Sequence, residues 1–353
     1  MPRFQLVGYI LVLTLAVVVP RAAAGTVVFS SGGIVLPESI ALAPAGFGAY
    51  AGNYLITDPG TGVIWSVPSS GGAPTMFAAL ITTSFNAGVF APAGYGAFTG
   101  DFLVGRNDGM VAFDSAGTES VFSTTPGTVW YTGSLAPAGF GAYAGQPVYV
   151  GGIISVIGDR QVSAFAPNGT PITIADLGTS TATWWGTAFS NDGTTMYVGD
   201  FRSGTIEKVM ANGTVLPFTT VPLRTYEMGI RQMAMAPVGY PDIGGLLIVS
   251  LGASDGGGGT YGEVVAIDPV TGQVVKSLRA GTYDNALDPR GIYLEPDGNV
   301  LIANADPAIL QSASSDFLPG RANDPAATPE PGTGLFVLAG LGLAAVRALR
   351  RNH

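Results

Sequence analysis

The sequence predicts an all-β fold, a six-bladed β-propeller, and three observations support this prediction. Gly and Pro account for 52 and 25 of the 353 residues, a proportion that interrupts helices throughout the chain. Hydrophobic residues make up 47% of the chain and charged residues only 11%, so the chain folds around a large core. A segment recurs at intervals of about 45 to 50 residues, and repeats of this length with short strands are typical of propellers.

The repeat is most evident in an Ala-Pro-Ala-Gly-aromatic-Gly motif. Two further copies follow the first after 48 and 45 residues, and a weaker copy follows 100 residues later, at two periods. Segments 187–193 and 291–298 occupy the remaining places, which gives six units. The four segments that carry the motif are 42–52, 90–100, 135–145 and 235–245. We expect this loop to be architectural, with its aromatic side chain packed over the blade edge, because an identical loop in three blades favours shared structure over one ligand site.

Each unit carries the signals of four antiparallel strands. In the second unit, strand-like runs at 87–91, 101–106, 110–114 and 119–123 are separated by Gly-rich, Asn-Asp-Gly and Ser-Ala-Gly turns. A single blade cannot cover both of its own faces, so neighbouring blades must pack against it. A surplus strand at 26–29 precedes the first unit, and we expect it to complete the last blade and close the ring.

Residues 1–24 are typical of a secretory signal peptide. Arg3 supplies the positive charge, residues 6–19 form the apolar region, and residues 22–24 are three alanines suited to cleavage. The alternative is a membrane anchor, but fourteen residues are fewer than the ~20 that a spanning helix needs. We therefore expect an N-terminal signal helix that is removed from the mature protein.

The C-terminal residues combine three features in a fixed order. A Pro-Glu-Pro element is followed by the short apolar segment 334–346 and then by an arginine cluster. The residues concerned are Pro329, Glu330 and Pro331, followed by Arg347, Arg350 and Arg351. This arrangement resembles the sorting tail of the PEP-CTERM proteins, which exosortase-type transpeptidases process in Gram-negative bacteria.

The resemblance implies a cellular location and a processing enzyme. The arginines would hold the exported protein transiently in the inner membrane, through a short transmembrane sorting helix, until an exosortase-type transpeptidase cuts near the Pro-Glu-Pro element. The mature protein would then lie at the cell surface or in the extracellular matrix. The alternative is a plain C-terminal anchor without processing.

The chain thus divides into four predicted parts. Residues 1–24 are the signal peptide, 25–311 the propeller, 312–328 a flexible linker, and 329–353 the sorting tail. Composition excludes several functions for these parts. The chain has no Cys, and its single His is the terminal His353, so neither a thiol nucleophile nor a His-based zinc site is available. Residues 25 to 329 have a net charge of −13, which argues against nucleic acid as a partner.

Asp, Glu and Asn residues collect at one predicted face of the ring. They occupy the turns between second and third strands and the positions just before the innermost strands. Hard oxygen ligands around a central channel suit Ca²⁺ or another divalent cation. The alternative is that Asp and Asn stand there because they form good turns.

The six-unit organisation resembles propellers of the gluconolactonase and regucalcin type. In that family a glutamate entering the first blade, two asparagines and an aspartate hold one divalent metal ion. The resemblance places Glu38 at the first ligand and lets Asn86 or Asn285, with Asp288, stand for the others, although their surroundings do not reproduce the family's motifs. No catalytic residue is assigned. Lactone hydrolysis would require the metal to polarise the carbonyl and an Asp to move the proton.

Four aromatic residues lie just before innermost strands on the same face. They are Trp130, Tyr131, Trp184 and Trp185, and they offer a stacking surface to a sugar. The alternative is that they pack between blades.

These observations support three hypotheses about function. The first is an exported, surface- or matrix-associated propeller that binds a glycan, such as an exopolysaccharide, or a surface protein without catalysis. The second is a metal-dependent, lactonase-like hydrolase on the same propeller. The third is a purely structural component of the matrix.

Overall fold

The computed structural model describes residues 27–79, 87–153, 159–179, 184–223, 227–253, 262–278, 288–305, 308–314 and 317–319. Within these residues regular structure is almost entirely β-strand, and helical geometry is limited to three short 3-10 turns. No helix in this part of the chain is long and apolar enough to cross a membrane. The all-β prediction is confirmed, while the predicted signal helix and sorting helix lie outside the described residues.

In chain order, the strands of the described residues are β1 (Val27–Ser31), β2 (Ser39–Leu42), β3 (Tyr54–Asp58), β4 (Val63–Val67), β5 (Thr75–Ala79), β6 (Gly88–Phe90), β7 (Phe102–Phe113), β8 (Glu119–Leu135), β9 (Pro147–Ile153), β10 (Asp159–Phe165), β11 (Pro171–Thr179), β12 (Trp184–Phe189), β13 (Thr195–Asp200), β14 (Thr205–Met210), β15 (Val215–Thr220), β16 (Glu227–Met235), β17 (Leu247–Ala253), β18 (Glu263–Ile267), β19 (Val274–Leu278), β20 (Pro289–Leu294), β21 (Asn299–Ala305), β22 (Ala308–Ser314) and β23 (Phe317–Pro319).

These strands form five sheets in which every pairing between strands is antiparallel. Their orders are β2-β3-β4-β5, β6-β7-β8-β9-β10-β11, β12-β13-β14-β15, β16-β17-β18-β19-β23 and β20-β21-β22-β1. Consecutive strands are neighbours nearly everywhere, which is the pattern of propeller blades. The propeller fold is therefore confirmed.

The six-stranded sheet contains the second and the third sequence units. Its strands β7 and β8 have 12 and 17 residues, and positive φ angles at Asp108, Gly109 and Gly127 interrupt their extended backbone. Asn107 of β7 pairs with Val129 of β8 and so joins the two units in one hydrogen-bonded sheet. The sequence predicts six blades and the structure has five sheets, because this junction merges two of the six units.

The ring closes with a strand from the other end of the chain, as the sequence predicts. β1 pairs with β22 and is the outermost strand of the last sheet. The backbone N–H of Gly72, in the first unit, donates to the carbonyl of Phe29 in β1 (3.0 Å). Across the same junction, the Tyr54 hydroxyl of β3 donates to the Glu295 carboxylate, which follows β20 (2.7 Å). The first and last units are thus held together by both backbone and side-chain bonds.

The sheets extend past the predicted end of the propeller at residue 311. β22 continues to Ser314, and it does so because Ala313, only 2% exposed, still packs in the core. Residues 317–319 then form β23, which adds to the outer edge of β19. The first part of the segment predicted as a flexible linker therefore belongs to the sheets.

Apolar side chains fill the spaces between adjacent units, and the repeated loops contribute to this filling. Phe47, Tyr95 and Phe140, the aromatic residues of the first three loops, are 2%, 4% and 0% exposed. Phe140 packs edge-to-face against Phe189 of the next sheet, with 4.8 Å between ring centres. The Tyr95 hydroxyl donates to the carbonyl of Phe165 in the next unit (2.5 Å). The architectural role expected for the motif is confirmed.

Turns between third and fourth strands also pack against the preceding unit. Gly117, Gly169 and Gly213 occupy such turns with positive φ angles of 80°, 78° and 85°. A Cβ atom at Gly169 would lie 1.8 Å from the carbonyl oxygen of Phe122, far inside van der Waals contact. The turn therefore requires Gly both for its left-handed backbone and for the close approach.

Gly169→Ala should lower the free energy of unfolding by about 3–4 kcal/mol, whereas Gly94→Ala should lower it by only about 1–2 kcal/mol. Both glycines have positive φ, 78° and 92°, but no atom lies within 4 Å of the position that a methyl group would take at Gly94. Gly94→Ala thus reports the backbone penalty alone. Urea denaturation of both variants measures the difference, and equal losses would contradict the close packing of the Gly169 turn.

Candidate functional site

The candidate site is an open cavity at the face of the ring where innermost strands begin. The volume not occupied by atoms, including the part that is open to solvent, is about 320 Å³. The segments preceding β2 and β6 and the strands β8, β12 and β16 all contribute to its wall, because innermost strands surround the axis of a propeller. The lining residues are Glu38, Ala87, Tyr131, Thr132, Trp185, Arg231 and Gln232.

One wall of the cavity is aromatic. The rings of Tyr131 and Trp185 are stacked with 6.1 Å between their centres and 23° between their planes. Trp185 also stacks on Phe201, at 4.5 Å and 14°. The guanidinium carbon of Arg231 lies 4.6 Å from the Trp185 ring centre and 4.2 Å from that of Phe201, so the arginine makes cation–π contacts with both rings.

The Nε1 group of Trp185 is buried and has no hydrogen-bond partner within the described residues. Buried polar groups of native proteins are nearly always paired with protein, water or ligand. The acceptor for this donor is therefore a bound water, a ligand or a residue outside the described part of the chain.

A cluster of charged side chains lies beside the aromatic wall. Arg290 Nη1 donates to Glu38 Oε1, and Arg290 Nε donates to Asp288 Oδ2 (2.7 Å). Arg290 and Asp288 are each 5% exposed. One guanidinium group thus joins two carboxylates that come from opposite ends of the propeller sequence.

Burial and charge act in opposite directions in this cluster. Burial raises the pKa of Glu38, and the guanidinium groups of Arg290 and Arg231 oppose that rise. Burial disfavours the charged form of Arg290, but the Glu38 and Asp288 carboxylates outweigh it and raise the pKa of Arg290. Arg290 therefore carries its positive charge in the folded protein.

The predicted metal ligands are only partly within the described residues. Glu38 and Asp288 come together, but they do so around Arg290. Asn86 and Asn285 lie outside the described residues, so their place relative to Glu38 stays a prediction. Among the described residues no group of three or more His, Cys, Asp or Glu side chains could hold a metal ion.

The four predicted aromatic contacts separate into different environments. Tyr131 and Trp185 line the cavity. Trp130 is fully buried, packs against Phe165 and donates its Nε1–H to Thr125 (2.8 Å), so it has the packing role that was the alternative. Trp130 and Tyr131 lie at an irregularity of β8, where the pairing with β9 shifts register between Trp130 and Thr132, and their side chains enter different environments. Trp184 begins β12, and its side chain is outside the described part of the structure.

Arg231 lines the cavity, although no motif in the sequence marks it as a site residue. Arg231 is 6% exposed and stands within β16, in the run Ile230-Arg-Gln-Met233 between apolar positions. A charged residue within a predicted innermost strand, next to apolar positions, is a usable signal, since Arg is almost never fully buried without a partner.

Some acidic residues of this face have a structural role instead. Asp58 is fully buried, and its carboxylate accepts hydrogen bonds from the backbone N–H groups of Val35 and Leu36 (both 2.8 Å) and from Trp65 Nε1 (3.0 Å). It also accepts one from Gly60 N–H (3.0 Å). Asp58 therefore has the turn-forming role that was the alternative to cation binding. Its hydrogen bonds position the segment that leads to Glu38.

Residues 327–352 match the PEP-CTERM protein-sorting motif. The chain therefore carries the signal of a secreted protein that is sorted through the membrane to the cell surface. A search of curated proteins finds no match.

Three solved structures share the fold over most of both chains. Regucalcin from Agrobacterium tumefaciens strain C58, a calcium-binding protein, is 16% identical with a TM-score of 0.61, covering 84% of this chain and 95% of its own. A gluconolactonase from Xanthomonas campestris is 14% identical with a TM-score of 0.57, covering 80% and 86%. An auxiliary nutrient binding protein from Bacteroides ovatus is 13% identical with a TM-score of 0.57, covering 85% and 78%. The resemblance to gluconolactonase and regucalcin propellers is confirmed at the level of the fold.

Asp58→Ala should lower the free energy of unfolding by about 3 kcal/mol or more, because it takes the acceptor from four partly buried hydrogen bonds. Asp268→Ala is the matched control, since Asp268 also accepts a backbone N–H in a turn, from Val270 (2.8 Å), but at the exposed surface. Its effect should be much smaller. Thermal and urea unfolding of the two variants measure this, and a similar loss in both would contradict the role given to Asp58.

Proposed function

We propose that this surface-sorted propeller is a non-enzymatic binding module that takes a glycan or a surface protein at the open cavity. The observation that carries the proposal is the aromatic wall of Tyr131 and Trp185 beside the Arg231 guanidinium. This grouping lies at the mouth of the ring, where a polymer or a protein loop outside the cell has access to it.

The chemistry of the cavity supports a sugar ligand in particular. A sugar ring has apolar C–H faces, which pack on aromatic rings, and hydroxyl groups, which exchange hydrogen bonds with planar polar side chains. Tyr131 and Trp185 supply the rings, and Glu38, Arg231 and Gln232 supply the polar groups. The Trp185 Nε1–H would find its acceptor in a ligand hydroxyl, and a carbonyl group of a protein ligand meets the same requirement.

A second candidate function is a metal-dependent, lactonase-like hydrolase on the same propeller. The likeness to a gluconolactonase and to a calcium-binding regucalcin favours it at the level of fold. The position of Arg290 between Glu38 and Asp288 weighs against it, because a guanidinium group supplies no ligand to a metal. Lactone hydrolysis that needs divalent ions and disappears in Glu38→Gln would favour this candidate over binding.

Trp185→Ala should weaken glycan binding about tenfold or more, because it removes part of the aromatic wall and an indole N–H that has no partner among the described residues, together worth about 1.4 kcal/mol or more. The measurement is Kd by calorimetry or array binding, using the exopolysaccharide of the native host and a panel of neutral and acidic oligosaccharides. Tyr143→Ala is the matched control, since Tyr143 is a half-buried aromatic residue of a repeated loop rather than of the cavity.

Unchanged binding in Trp185→Ala would contradict the placement of the site. If no glycan binds, capture of a surface protein by the wild type but not by Trp185→Ala would assign the ligand to the protein class.

The mature protein in its native host should lack both ends of the sequence. Export is expected to remove about residues 1–24, and processing at the sorting motif is expected to remove the tail near Pro329 to Pro331. Intact-mass measurement of the protein from the native host tests this. A mature chain that retains residues 335–351 would contradict processing and leave a plain anchor.

A further inference from the structure

We infer that the Arg290 guanidinium is a built-in cation between Glu38 and Asp288, and that this propeller binds no divalent metal ion there. The regucalcin-like fold implies a metal at the place where Glu38 enters the first blade. The described residues around Glu38 do not fit that metal. This inference is independent of which ligand the cavity takes.

The geometry gives each carboxylate a cationic partner already. Arg290 donates through Nη1 to Glu38 and through Nε to Asp288 at 2.7 Å. A guanidinium group has five N–H donors, no acceptor, and does not lose its proton in proteins. It therefore supplies positive charge to both acids without offering a lone pair to a metal ion.

The remaining oxygen of Asp288 is also in use. Asp288 Oδ1 accepts the backbone N–H of Ala253 at 2.9 Å. A Cβ atom at Gly252 would lie 3.0 Å from this oxygen and 2.6 Å from Arg231 Nε, which places a second guanidinium group close by. A Ca²⁺ ion needs six to eight oxygen ligands at about 2.3–2.6 Å, and at this position it would meet two positive side chains instead.

Burial makes this arrangement necessary. Glu38 belongs to the partly buried wall of the cavity, and Asp288 and Arg290 are each 5% exposed. An ionised carboxylate in such a place requires a compensating charge and hydrogen bonds. Arg290 provides both from within the chain, so the protein has no need of an ion from solution.

The decisive test removes the internal cation. Arg290→Gln should lower the Tm by about 10 °C in chelator, because it leaves two buried carboxylates unpaired, and 5 mM Ca²⁺ should restore about half of that loss by binding the freed carboxylates. The wild type should melt at the same temperature in Ca²⁺ and in chelator. Arg290→Lys, which keeps a cation, should also be insensitive to Ca²⁺.

Arg106→Gln is the matched control. Arg106 pairs with Glu119 at 3.1 Å on the outer part of the ring, where the side chains are 24% and 17% exposed. Its removal should produce no Ca²⁺ response, which separates a freed site from a general change of charge.

Two outcomes would overturn the inference. One is a rise in the Tm of the wild type with Ca²⁺, and the other is a folded Arg290→Gln variant that gains nothing from Ca²⁺. Should Arg290→Gln fold only in the presence of Ca²⁺, the inference is supported. If Arg290→Gln folds under neither condition, the Tm values of the wild type and of Arg290→Lys test the inference. A rise in either Tm with Ca²⁺ contradicts a built-in cation.

Discussion

Burial of both faces of every sheet is the constraint on which the rest of this structure depends. Each unit has apolar side chains on two sides, and only its neighbours in the ring can cover them. Leu55, Phe102 and Phe113, for example, are wholly buried in the space between the first and second units. An open arc would leave two such faces in water. The pairing of β1 with β22 therefore stabilises every unit and not only the last one.

The ring also determines where polar and charged groups can be placed. Innermost strands surround the axis and leave room for hydrogen bonds between side chains, as between Ser39 and Thr57 (2.8 Å). Elsewhere in the strands buried side chains are mostly apolar. Charges that enter this region lie in a low-dielectric environment, where interactions are strong and unpaired groups are costly. Arg290 with its two carboxylates, and Arg231 against two aromatic rings, both follow from this requirement.

Local patterns in the sequence were sufficient to predict the fold. They were not sufficient to predict which distant residues contact each other. The repeated loops, the turn glycines and the surplus N-terminal strand predict a closed ring of short strands. They do not predict that Asn107 pairs with Val129, because that bridge depends on the path of two long strands. The partner of Glu38 stands 252 residues away and is defined only once the ring has closed. Likewise, the position just before an innermost strand marks both Trp130 and Tyr131. Which of them lies in the core and which lines the cavity depends on the direction of each side chain, and the sequence does not give that direction.

The strand β23 determines the point at which the chain leading to the sorting motif leaves the ring. It is bound to the outer edge of β19 and ends at Pro319, while the sorting motif begins at residue 327. The seven residues between them span at most about 25 Å when fully extended. The segment that leads to the sorting motif therefore starts from the outer edge of a sheet, at the rim of the ring. Pro319, the last described residue before the motif, therefore lies at the circumference of the ring, whereas the open cavity lies near its axis.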